Sequence, residues 1–193
     1  MRNKARLVPQ GFTQVEGLDF GKTFAPVARL EDIRILLAYA CSHNIKLQMD
    51  VKSAFLNGKI SKLVYVEQPL VFEDPKMPNY VYKLSKAFYG LKQAPRAWYK
   101  RLRDFLISKG FKIGKVDTTL FTKAMGKDLF VCQIYVDDII FGSTNPNFCE
   151  EFGEMMSREF EICELSYFLG LQIKQLKEGT FVCQSKYVKD ILK

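Results

Sequence analysis

The chain has 193 residues, of which 48% are hydrophobic, enough for one domain or two small lobes with a buried core, and this argues against global disorder. Lys and Arg number 29 against 21 Asp and Glu, and the resulting net charge of +8 suits a polyanionic partner. The five cysteines are scattered without a CxxC pair, which argues against a zinc site or a disulfide framework, and neither a membrane-spanning apolar run nor a signal peptide is found.

Apolar spacing and turn residues predict the elements of the first half of the chain. In chain order, they are a strand at 4–8, a loop at 11–26, a helix near 30–43, a strand at 45–50, a short helix or turn at 53–57, and strands at 63–67 and 80–84 with a proline-containing loop between them. Asp50 lies at the end of the fourth of these elements, the strand at 45–50, where it meets a turn.

Stronger signals mark the second half. Pro95 occupies a favoured first-turn position and begins a helix that ends before Gly110. A hairpin follows at 129–142, and Asn145 then caps a helix with Pro146 in its first turn. Strands near 165–174 and 180–184 follow, and Ser185 is predicted to cap a last helix at the end of the chain.

Two adjacent acids occupy the turn of the predicted hairpin. Asp137 and Asp138 separate the apolar runs 130–136 and 139–141, although Asn-Gly or Asp-Gly would make a better hairpin turn. A turn that gives up local preference to hold two negative charges is a candidate site for a divalent cation such as Mg²⁺. The alternative is that both are ordinary solvated turn residues, since Asp is common in turns.

The predicted order of elements brings a third acid to this turn. From residue 45, the strand, helix, strand, strand, helix, strand order is that of the split βαβ arrangement. The crossover makes strand 45–50 parallel to strand 129–136, so the strand leaving the hairpin pairs antiparallel beside 45–50. Asp50 then arrives next to Asp137 and Asp138. Three like charges repel unless cations neutralise them, and two divalent ions about 3.5–4 Å apart would do so and would serve phosphoryl transfer.

Three further residues fit such a reaction. Lys4 and Arg6 lie on a short strand that could cover an incoming triphosphate, with a solvated basic edge strand as the alternative. Phe55 follows Asp50 by five residues, and its ring could exclude a ribose 2′-hydroxyl by steric contact. Its alternative is a place in the core.

Seven segments in sequence resemble the reverse transcriptase of copia-type LTR retrotransposons, with plant elements fitting best. They are Lys4-Ala-Arg-Leu-Val8, Thr23-Phe-Ala-Pro-Val-Ala-Arg29, Gln48-Met-Asp-Val-Lys-Ser-Ala-Phe-Leu-Asn-Gly58, Tyr89-Gly-Leu-Lys-Gln-Ala-Pro-Arg-Ala-Trp98, Tyr135-Val-Asp-Asp138, Phe168-Leu-Gly-Leu171 and Gln184-Ser-Lys-Tyr187. The resemblance covers nearly the full length of the chain.

The resemblance implies an α+β right-hand polymerase: a palm with a split βαβ, ferredoxin-like sheet and helices on one face, plus partial fingers, with the thumb absent or truncated. It assigns residues 1–44 and 56–90 to the fingers, 45–55 and 91–165 to the palm, and 166–193 to the primer-grip region and the start of a truncated thumb.

The same resemblance assigns roles to individual residues. Asp50, Asp137 and Asp138 would be the catalytic, metal-binding triad, joined by the backbone of Val51. The nucleotide contacts would be Lys4, Arg6, Phe55, Gly90, Gln93, Pro95, Tyr135 and Val136. The template and primer contacts would be Lys92, Arg96, Lys100, Arg101, Arg103, Phe168, Leu169 and Gly170, of which the basic residues have a solubilising surface as their alternative.

The implied activity is RNA-directed DNA synthesis, in which two Mg²⁺ ions, with Mn²⁺ as an alternative, assist transfer from a deoxynucleoside triphosphate to a primer 3′-hydroxyl. Its partners would be an RNA template and a DNA or RNA primer, with no membrane. Location would be intracellular, in cytoplasmic virus-like particles with the nucleus as an alternative, and not secreted.

Departures from the family keep a second class of function open. The family commonly has Pro-Pro-Gly-Phe where this chain has Pro69-Leu-Val-Phe72, so a turn glycine is lost at Val71. The segment between Glu161 and Leu165 is about three residues shorter than in relatives. The competing hypotheses are therefore a working polymerase domain and a retroelement remnant that folds and binds nucleic acid without polymerising. Another metal-dependent nucleotidyl enzyme on the same palm does not explain the segments at 4–8 and 90–95.

Overall fold

The computed structural model describes residues 7–43, 45, 48–51, 54–163, 172–176 and 179–192. Its α-helices are α1 (Leu30–Ser42), α2 (Ala94–Ser108), α3 (Pro146–Ser157) and α4 (Ser185–Ile191). Its strands are β1 (Gln48–Val51), β2 (Tyr65–Val66), β3 (Tyr82–Lys83), β4 (Lys112–Ile113), β5 (Leu120–Met125), β6 (Asp128–Tyr135), β7 (Asp138–Ser143), β8 (Ile162–Cys163), β9 (Gln172–Leu176) and β10 (Gly179–Cys183). Short 3₁₀ helices lie at Gly11–Thr13 and Ala54–Asn57.

The chain divides into two compact units. Unit 1 comprises residues 1–26 and 53–105, and unit 2 comprises 27–52 and 106–193. Residues 27–44 belong to unit 2, and α1 packs its buried side chains on the sheet of that unit. The predicted division into fingers and palm stays a prediction.

Unit 2 is built on a six-stranded sheet with the order β4-β5-β6-β7-β1-β8. β7 pairs antiparallel with both β6 and β1, and β1 pairs antiparallel with β8. The predicted neighbours β6, β7 and β1 are confirmed, but the strands predicted at 63–67 and 80–84, which the predicted split βαβ order included, form a separate two-stranded sheet as β2 and β3. The structure adds β4 and β5, which the sequence analysis did not identify, at the β6 edge.

Helices cover both faces of this sheet, and the expectation of helices on one face only was wrong. Phe152 of α3 packs its ring 4.8 Å from the ring of Phe130 and 4.5 Å from that of Phe141. Ile33 and Leu36 of α1 pack in a second cluster with Val131 and Ile140, which alternate with those phenylalanines along the strands. Because successive strand residues point to opposite faces, α1 and α3 lie on opposite sides. β6 and β7 are apolar on both faces, so both faces must be buried.

A different cluster forms the core of unit 1. Val64, Ala87, Leu91 and Ala94 are buried together, and Phe55 is among the half-buried residues that pack on them. Trp98 and Leu102 of α2 are fully buried. Close approach requires glycine at Gly58, since a Cβ there would lie 2.8 Å from the backbone nitrogen of Trp98.

The predicted helix ends were right in one case and wrong in another. The side chain of Asn145 accepts a hydrogen bond from the backbone N–H of Asn147 at 3.1 Å, which confirms the predicted cap of α3. At α4 the residue in the capping position is Gln184, and Ser185 is already helical. The strands predicted at 63–67 and 80–84 shorten to the two-residue pair β2 and β3.

Two other predicted strands fall partly outside the described residues. Of the strand predicted at 4–8, Leu7 and Val8 are described and are not in a strand. The strand predicted near 165–174 begins at Gln172 within the described part of the chain. Across the described residues, no helix is both long and apolar enough to cross a bilayer.

Candidate active site

The acidic hairpin turns one residue earlier than predicted. β6 ends at Tyr135, which pairs directly with Asp138, the first residue of β7. The two turn residues are thus Val136 and Asp137, and Asp138 belongs to the strand. The prediction that the turn consists of both acids was wrong, because strand pairing extends to Asp138. One acid is held by the turn and the other by the ladder.

Asp50 arrives beside this turn through strand pairing. In the antiparallel pair of β1 and β7, Asp50 lies opposite Asp138, after an irregularity between Gln48 and Asp50. Residues directly opposite each other in such a pair have Cα atoms about 4.5–5.5 Å apart. Asp50 also lies opposite Cys163 of β8, so it occupies an interior strand of the sheet. The pairing of β1 with β7 therefore places Asp50 at the same end of neighbouring strands as Asp137 and Asp138, which are distant from it in sequence.

Val136 carries the strained backbone of the turn. Its φ is +54°, a region in which a β-branched residue is an outlier. A positive φ at the first central residue alone is the pattern of a type II′ turn, which favours glycine at that position. Such strain is retained where the surrounding structure fixes it, often at functional sites.

The donor set at this edge fits a hard divalent cation. Carboxylate oxygens are the ligands that Mg²⁺ prefers, and one or two of them usually hold it together with substrate phosphates. Asp137 and Asp138 are half-buried, so part of each residue stays accessible to solvent. Val51, predicted to add a backbone ligand, is the last residue of β1 and lies opposite Ile162.

Among residues with described side chains, no cluster of three His, Cys, Asp or Glu forms a metal site. The side chain of Asp50 lies outside the described set, so the convergence of the triad is a statement about backbone register.

A buried polar cluster near the turn was not found by sequence analysis. Gln133 and Thr119 are almost fully buried, and both bond to the carboxylate of Asp117. Burial raises the pKa of Asp117, but hydrogen bonds from Thr119 and Gln133 and the charge of Arg29 outweigh it, so the pKa lies below its ordinary value of 3.8. The signal in the sequence was a glutamine inside an apolar strand, because a buried amide needs partners.

Cys132, the neighbour of Gln133 on β6, is an inert buried thiol. Burial raises its pKa far above its ordinary value, so it stays protonated.

The predicted nucleotide contacts of unit 1 serve its packing. Phe55 is half-buried, with its ring 4.7 Å from that of Tyr89. Gly90 has a φ of +97°, and a Cβ there would overlap the carbonyl oxygen of Pro9. Gln93 is buried, and its side chain bonds to Gln14 and to the carbonyl oxygen of Asp19. Pro95 is half-buried in the first turn of α2.

The basic residues around the start of α2 are also tied to this unit. Lys92 donates from its ammonium to the carbonyl oxygen of Gln14 at 3.1 Å and lies 5.2 Å from the ring centre of Phe20. Arg96 donates to the carbonyl oxygen of Phe24 at 2.8 Å. These contacts fasten residues 14–24 to α2, a role that sequence analysis did not identify.

The remaining basic residues of α2 differ in their surroundings. Lys100 is exposed and Arg101 is half-buried. Arg103 makes a 2.7 Å ion pair with its neighbour Asp104. The other predicted site residues, Lys4, Arg6, Phe168, Leu169 and Gly170, lie outside the described residues, and their roles stay predictions.

Comparison with known proteins gives consistent matches. The protein-family profile for "Reverse transcriptase (RNA-dependent DNA polymerase)" matches residues 1–193. The Pol polyprotein from transposon RE1 of Arabidopsis thaliana is 43% identical over 195 residues, covering 99% of this chain and 13% of the relative. The corresponding polyprotein from transposon RE2 of the same plant is 40% identical with the same coverage.

A tobacco relative, the Pol polyprotein from transposon TNT 1-94 of Nicotiana tabacum, is 34% identical, covering 100% of this chain and 15% of the relative. The chain therefore spans only about a seventh of the length of these relatives. No solved structure matches the chain significantly. With a profile match over its whole length and plant retrotransposon relatives at this identity, the chain belongs to the reverse transcriptase family of copia-type Pol polyproteins, the RNA-directed DNA polymerases.

Proposed function

We propose that this chain is the RNA-directed DNA polymerase domain of a copia-type retrotransposon and that Asp50, Asp137 and Asp138 are its catalytic triad. The observation that carries the proposal is the pairing of Asp50 with Asp138 across β1 and β7, with Asp137 in the turn one residue before. A strand-end cluster of this kind has no evident structural purpose, because like charges placed opposite each other destabilise a sheet.

The three carboxylates and the backbone of Val51 would hold two Mg²⁺ ions, which would relieve that repulsion. When bound, such ions lower the pKa of a primer 3′-hydroxyl and neutralise the charge of the triphosphate and the leaving pyrophosphate. The residues of the chain supply rigidity: Asp138 is fixed in a strand, and Asp137 is fixed in a two-residue turn with strained backbone. Preorganised charge of this kind costs little reorganisation during the reaction.

The nucleotide contacts are proposed by family resemblance. Lys4 and Arg6 bind the triphosphate, and Phe55 excludes a ribose 2′-hydroxyl. Support for Phe55 comes from its half-buried ring, which Tyr89 holds in place while part of it stays accessible. Gly90, Gln93 and Pro95 act indirectly, by shaping the backbone at the start of α2. Tyr135 and Val136 complete the set beside the acids.

The charge of the chain is divided unequally between the units. The sequence of unit 1 carries 14 Lys and Arg against 6 Asp and Glu, whereas unit 2 carries 15 of each. All of the net charge of +8 thus belongs to unit 1, which supports a sequence-independent attraction between that unit and the phosphates of template and primer. We assign the fingers to unit 1 and the palm to the sheet of unit 2.

The wider setting follows the same resemblance. The template is RNA, the primer is DNA or RNA, and we place the reaction in cytoplasmic virus-like particles, with the nucleus as the alternative site. The relatives named above are transposon Pol polyproteins, which supports this setting.

Primer extension tests the proposal. The chain, its Asp137→Asn, Asp138→Asn double variant and its Asp50→Asn variant are compared on an RNA template with Mg²⁺ and deoxynucleotides. The matched control is Asp128→Asn, which removes a carboxylate at the far end of β6. We expect extension by the parent and the control and a loss of at least about 10³-fold in the triad variants.

Extension by the triad variants at the parental rate would refute the assigned site. A folded parent that binds primer and template but does not extend them would favour the remnant that binds nucleic acid without polymerising.

A further inference from the structure

A small polar network of two buried side chains and the half-buried Asp117 lies on the α1 face of the sheet in unit 2, outside the acidic triad. Gln133 of β6 is 3% exposed and Thr119 is 1% exposed. The amide of Gln133 donates to one carboxylate oxygen of Asp117 at 2.9 Å and to the hydroxyl of Thr119 at 2.5 Å. That hydroxyl donates to the other oxygen of Asp117 at 2.6 Å, and the backbone N–H of Thr119 donates to the same oxygen at 2.7 Å.

The hydrogen bonds of this network connect the three side chains directly to one another. The carboxylate accepts three of these bonds, the hydroxyl both donates and accepts, and the amide donates two. Arg29, the residue preceding α1, adds a favourable charge toward Asp117. Asp117 itself is half-buried, but Gln133 and Thr119 are buried, so losing the Asp117 carboxylate removes a partner of two polar side chains that water does not reach.

The network acts on β6 immediately before the acidic turn. Leu120 pairs with Gln133 at the end of the β5–β6 ladder, and the carbonyl oxygen of Thr119 accepts from the backbone N–H of Ile134 at 2.9 Å. The next residue, Tyr135, pairs with Asp138 across the hairpin. One residue thus separates the anchored segment from the turn.

We infer that Asp117 is a positioning residue of the acidic hairpin: through Gln133 and Thr119 it fixes the end of β6, and thereby the turn that holds Asp137 and the Tyr135–Asp138 pair. Its importance for catalysis rests on the proposed function, whereas its effect on the hairpin does not. The loop before β5 and the residue before α1 thereby become part of the support of the site. Without this anchor, the described residues on the β5 side hold the end of β6 only through the backbone, by the Leu120–Gln133 pair and the bond from Ile134 to Thr119, so the strained turn at Val136 relaxes more readily.

Exchanging the carboxylate and the amide between Asp117 and Gln133 gives variants that separate the hydrogen bond from the individual side chains. Asp117→Asn removes the charge and replaces one acceptor oxygen by an N–H donor, so the N–H of Gln133 loses its carboxylate partner. Gln133→Glu sets two carboxylates together. The double variant Asp117→Asn, Gln133→Glu restores an N–H to carboxylate bond with reversed direction and keeps the parental charge. Thr119→Val is a milder variant that removes only the hydroxyl.

The control is again Asp128→Asn. Asp128 is the first residue of the same strand, and like Asp117 it accepts from a threonine hydroxyl, that of Thr144 at 2.9 Å. Each substitution removes a carboxylate that accepts from a threonine hydroxyl. Asp128 lies at the start of β6, whereas Asp117 contacts the strand near its other end, through Gln133.

Amide hydrogen exchange is the first measurement, because it needs neither metal nor activity. We expect exchange in the segment 134–139 to accelerate by about tenfold or more in Asp117→Asn and Gln133→Glu, to return most of the way in the double variant, and to stay parental in Asp128→Asn. Exchange in the β9–β10 hairpin serves as the internal reference. Thr119→Val should show a smaller acceleration confined to the same segment. If Asp117→Asn and Gln133→Glu do not fold, this variant tests the inference in their place.

The second measurement is the Mg²⁺ dependence of primer extension, together with Mn²⁺ binding to the protein alone. We expect the Mg²⁺ concentration for half-maximal extension and the dissociation constant for Mn²⁺ to rise about tenfold in Asp117→Asn and to recover in the double variant, as for groups that orient metal ligands. A purely structural loss would lower the active fraction and leave both midpoints unchanged.

Parental exchange at 134–139 in a folded Asp117→Asn or Thr119→Val protein overturns the inference. So does an acceleration that is equal in the β9–β10 hairpin or in Asp128→Asn. If the hairpin responds as expected but the parent does not extend primers, the proposed function fails while the anchoring of the hairpin stands.

Discussion

Two valines hold backbone conformations that suit glycine. Val71 and Val136 are the residues other than glycine with positive φ in the described part of the chain, at +74° and +54°. Val136 lies in the acidic turn, where strain has a functional interpretation. Val71 lies in an exposed loop at the position where the family commonly has glycine, so its strain has no such interpretation.

We expect Val71→Gly to relieve this strain. The left-handed region costs an L-residue other than glycine about 1–2 kcal/mol, and Val71 is 95% exposed, so no packing is lost. Val116→Gly is the control, because Val116 is fully exposed in a loop and does not have positive φ. Both changes add the same flexibility to the unfolded chain. The free energy of unfolding should therefore be about 1–2 kcal/mol higher for Val71→Gly than for Val116→Gly in urea denaturation, and equal values would contradict the strain argument.

Asp117 gives a prediction about pH. Its pKa is lowered on folding from an ordinary value of 3.8, so its ionised form stabilises the fold above that value, and the contribution is lost as the pH falls through the lowered pKa. We expect the difference in unfolding free energy between the parent and Asp117→Asn to be constant from pH 7 to about pH 5 and to shrink as the pH falls below 3.8. Denaturation curves across this range measure it; a difference that grows on acidification would reverse the assigned sign.

At the scale of elements, the start of α2 acts as a fastening point for the segment 9–24. Gln93 and Lys92 bind Gln14, and Gly90 lets the backbone of Pro9 pass close by. These residues belong to the motif that resembles a nucleotide-binding segment of the family. In unit 1 these residues hold the segment 9–24 against the start of α2. We therefore expect substitutions there to lower the free energy of unfolding more than they change the affinity for nucleotide.

Gly90→Ala tests this packing role. Gly90 and Gly17 both have positive φ, at +97° and +85°, but a Cβ at Gly17 meets nothing within 4 Å, whereas one at Gly90 overlaps the carbonyl oxygen of Pro9. We expect Gly17→Ala to cost about 1 kcal/mol from backbone strain alone and Gly90→Ala at least about 2 kcal/mol more. Thermal unfolding of both variants provides the comparison. Similar losses would show that the close approach to Pro9 contributes nothing.

At the scale of the whole molecule, the unequal charge of the units predicts which lysines attract nucleic acid. Lys59 and Lys86 of unit 1 are exposed and lie opposite each other in an isolated antiparallel bridge. Like charges in that position oppose pairing, and a polyanion bound there would remove the penalty.

We expect Lys59→Glu, Lys86→Glu to weaken binding of an RNA–DNA primer–template and to reduce the slope of log affinity against log salt by about 2, one for each lysine lost. The control, Lys115→Glu, Lys127→Glu, makes the same charge change at exposed positions of unit 2. Fluorescence anisotropy from low to moderate salt measures both variants. Equal effects of the two pairs would mean that the attraction depends on total charge and not on unit 1.

Local patterns were sufficient for many elements of the fold. Helical spacing identified α1, α2 and α3, and the Asn145 cap was confirmed at the atom level. The pairing of Asp50 with Asp138 followed from a topological rule, because a helical crossover makes two strands parallel and leaves space beside them for the returning strand. These features depend on residues near one another in sequence or on chain connectivity.

The sequence by itself determined the family, the acidic hairpin and the strand order that unites its acids with Asp50, because period, turn chemistry and crossover geometry are written locally. Only the tertiary structure decided that the turn is Val136–Asp137, that α1 covers the second face of the sheet, and that Asp117 anchors Gln133. Those features depend on which side chains meet across the sheet. The packing of both faces of the sheet determines which side chain contacts a buried residue. A sequence pattern indicates only that such a contact is required.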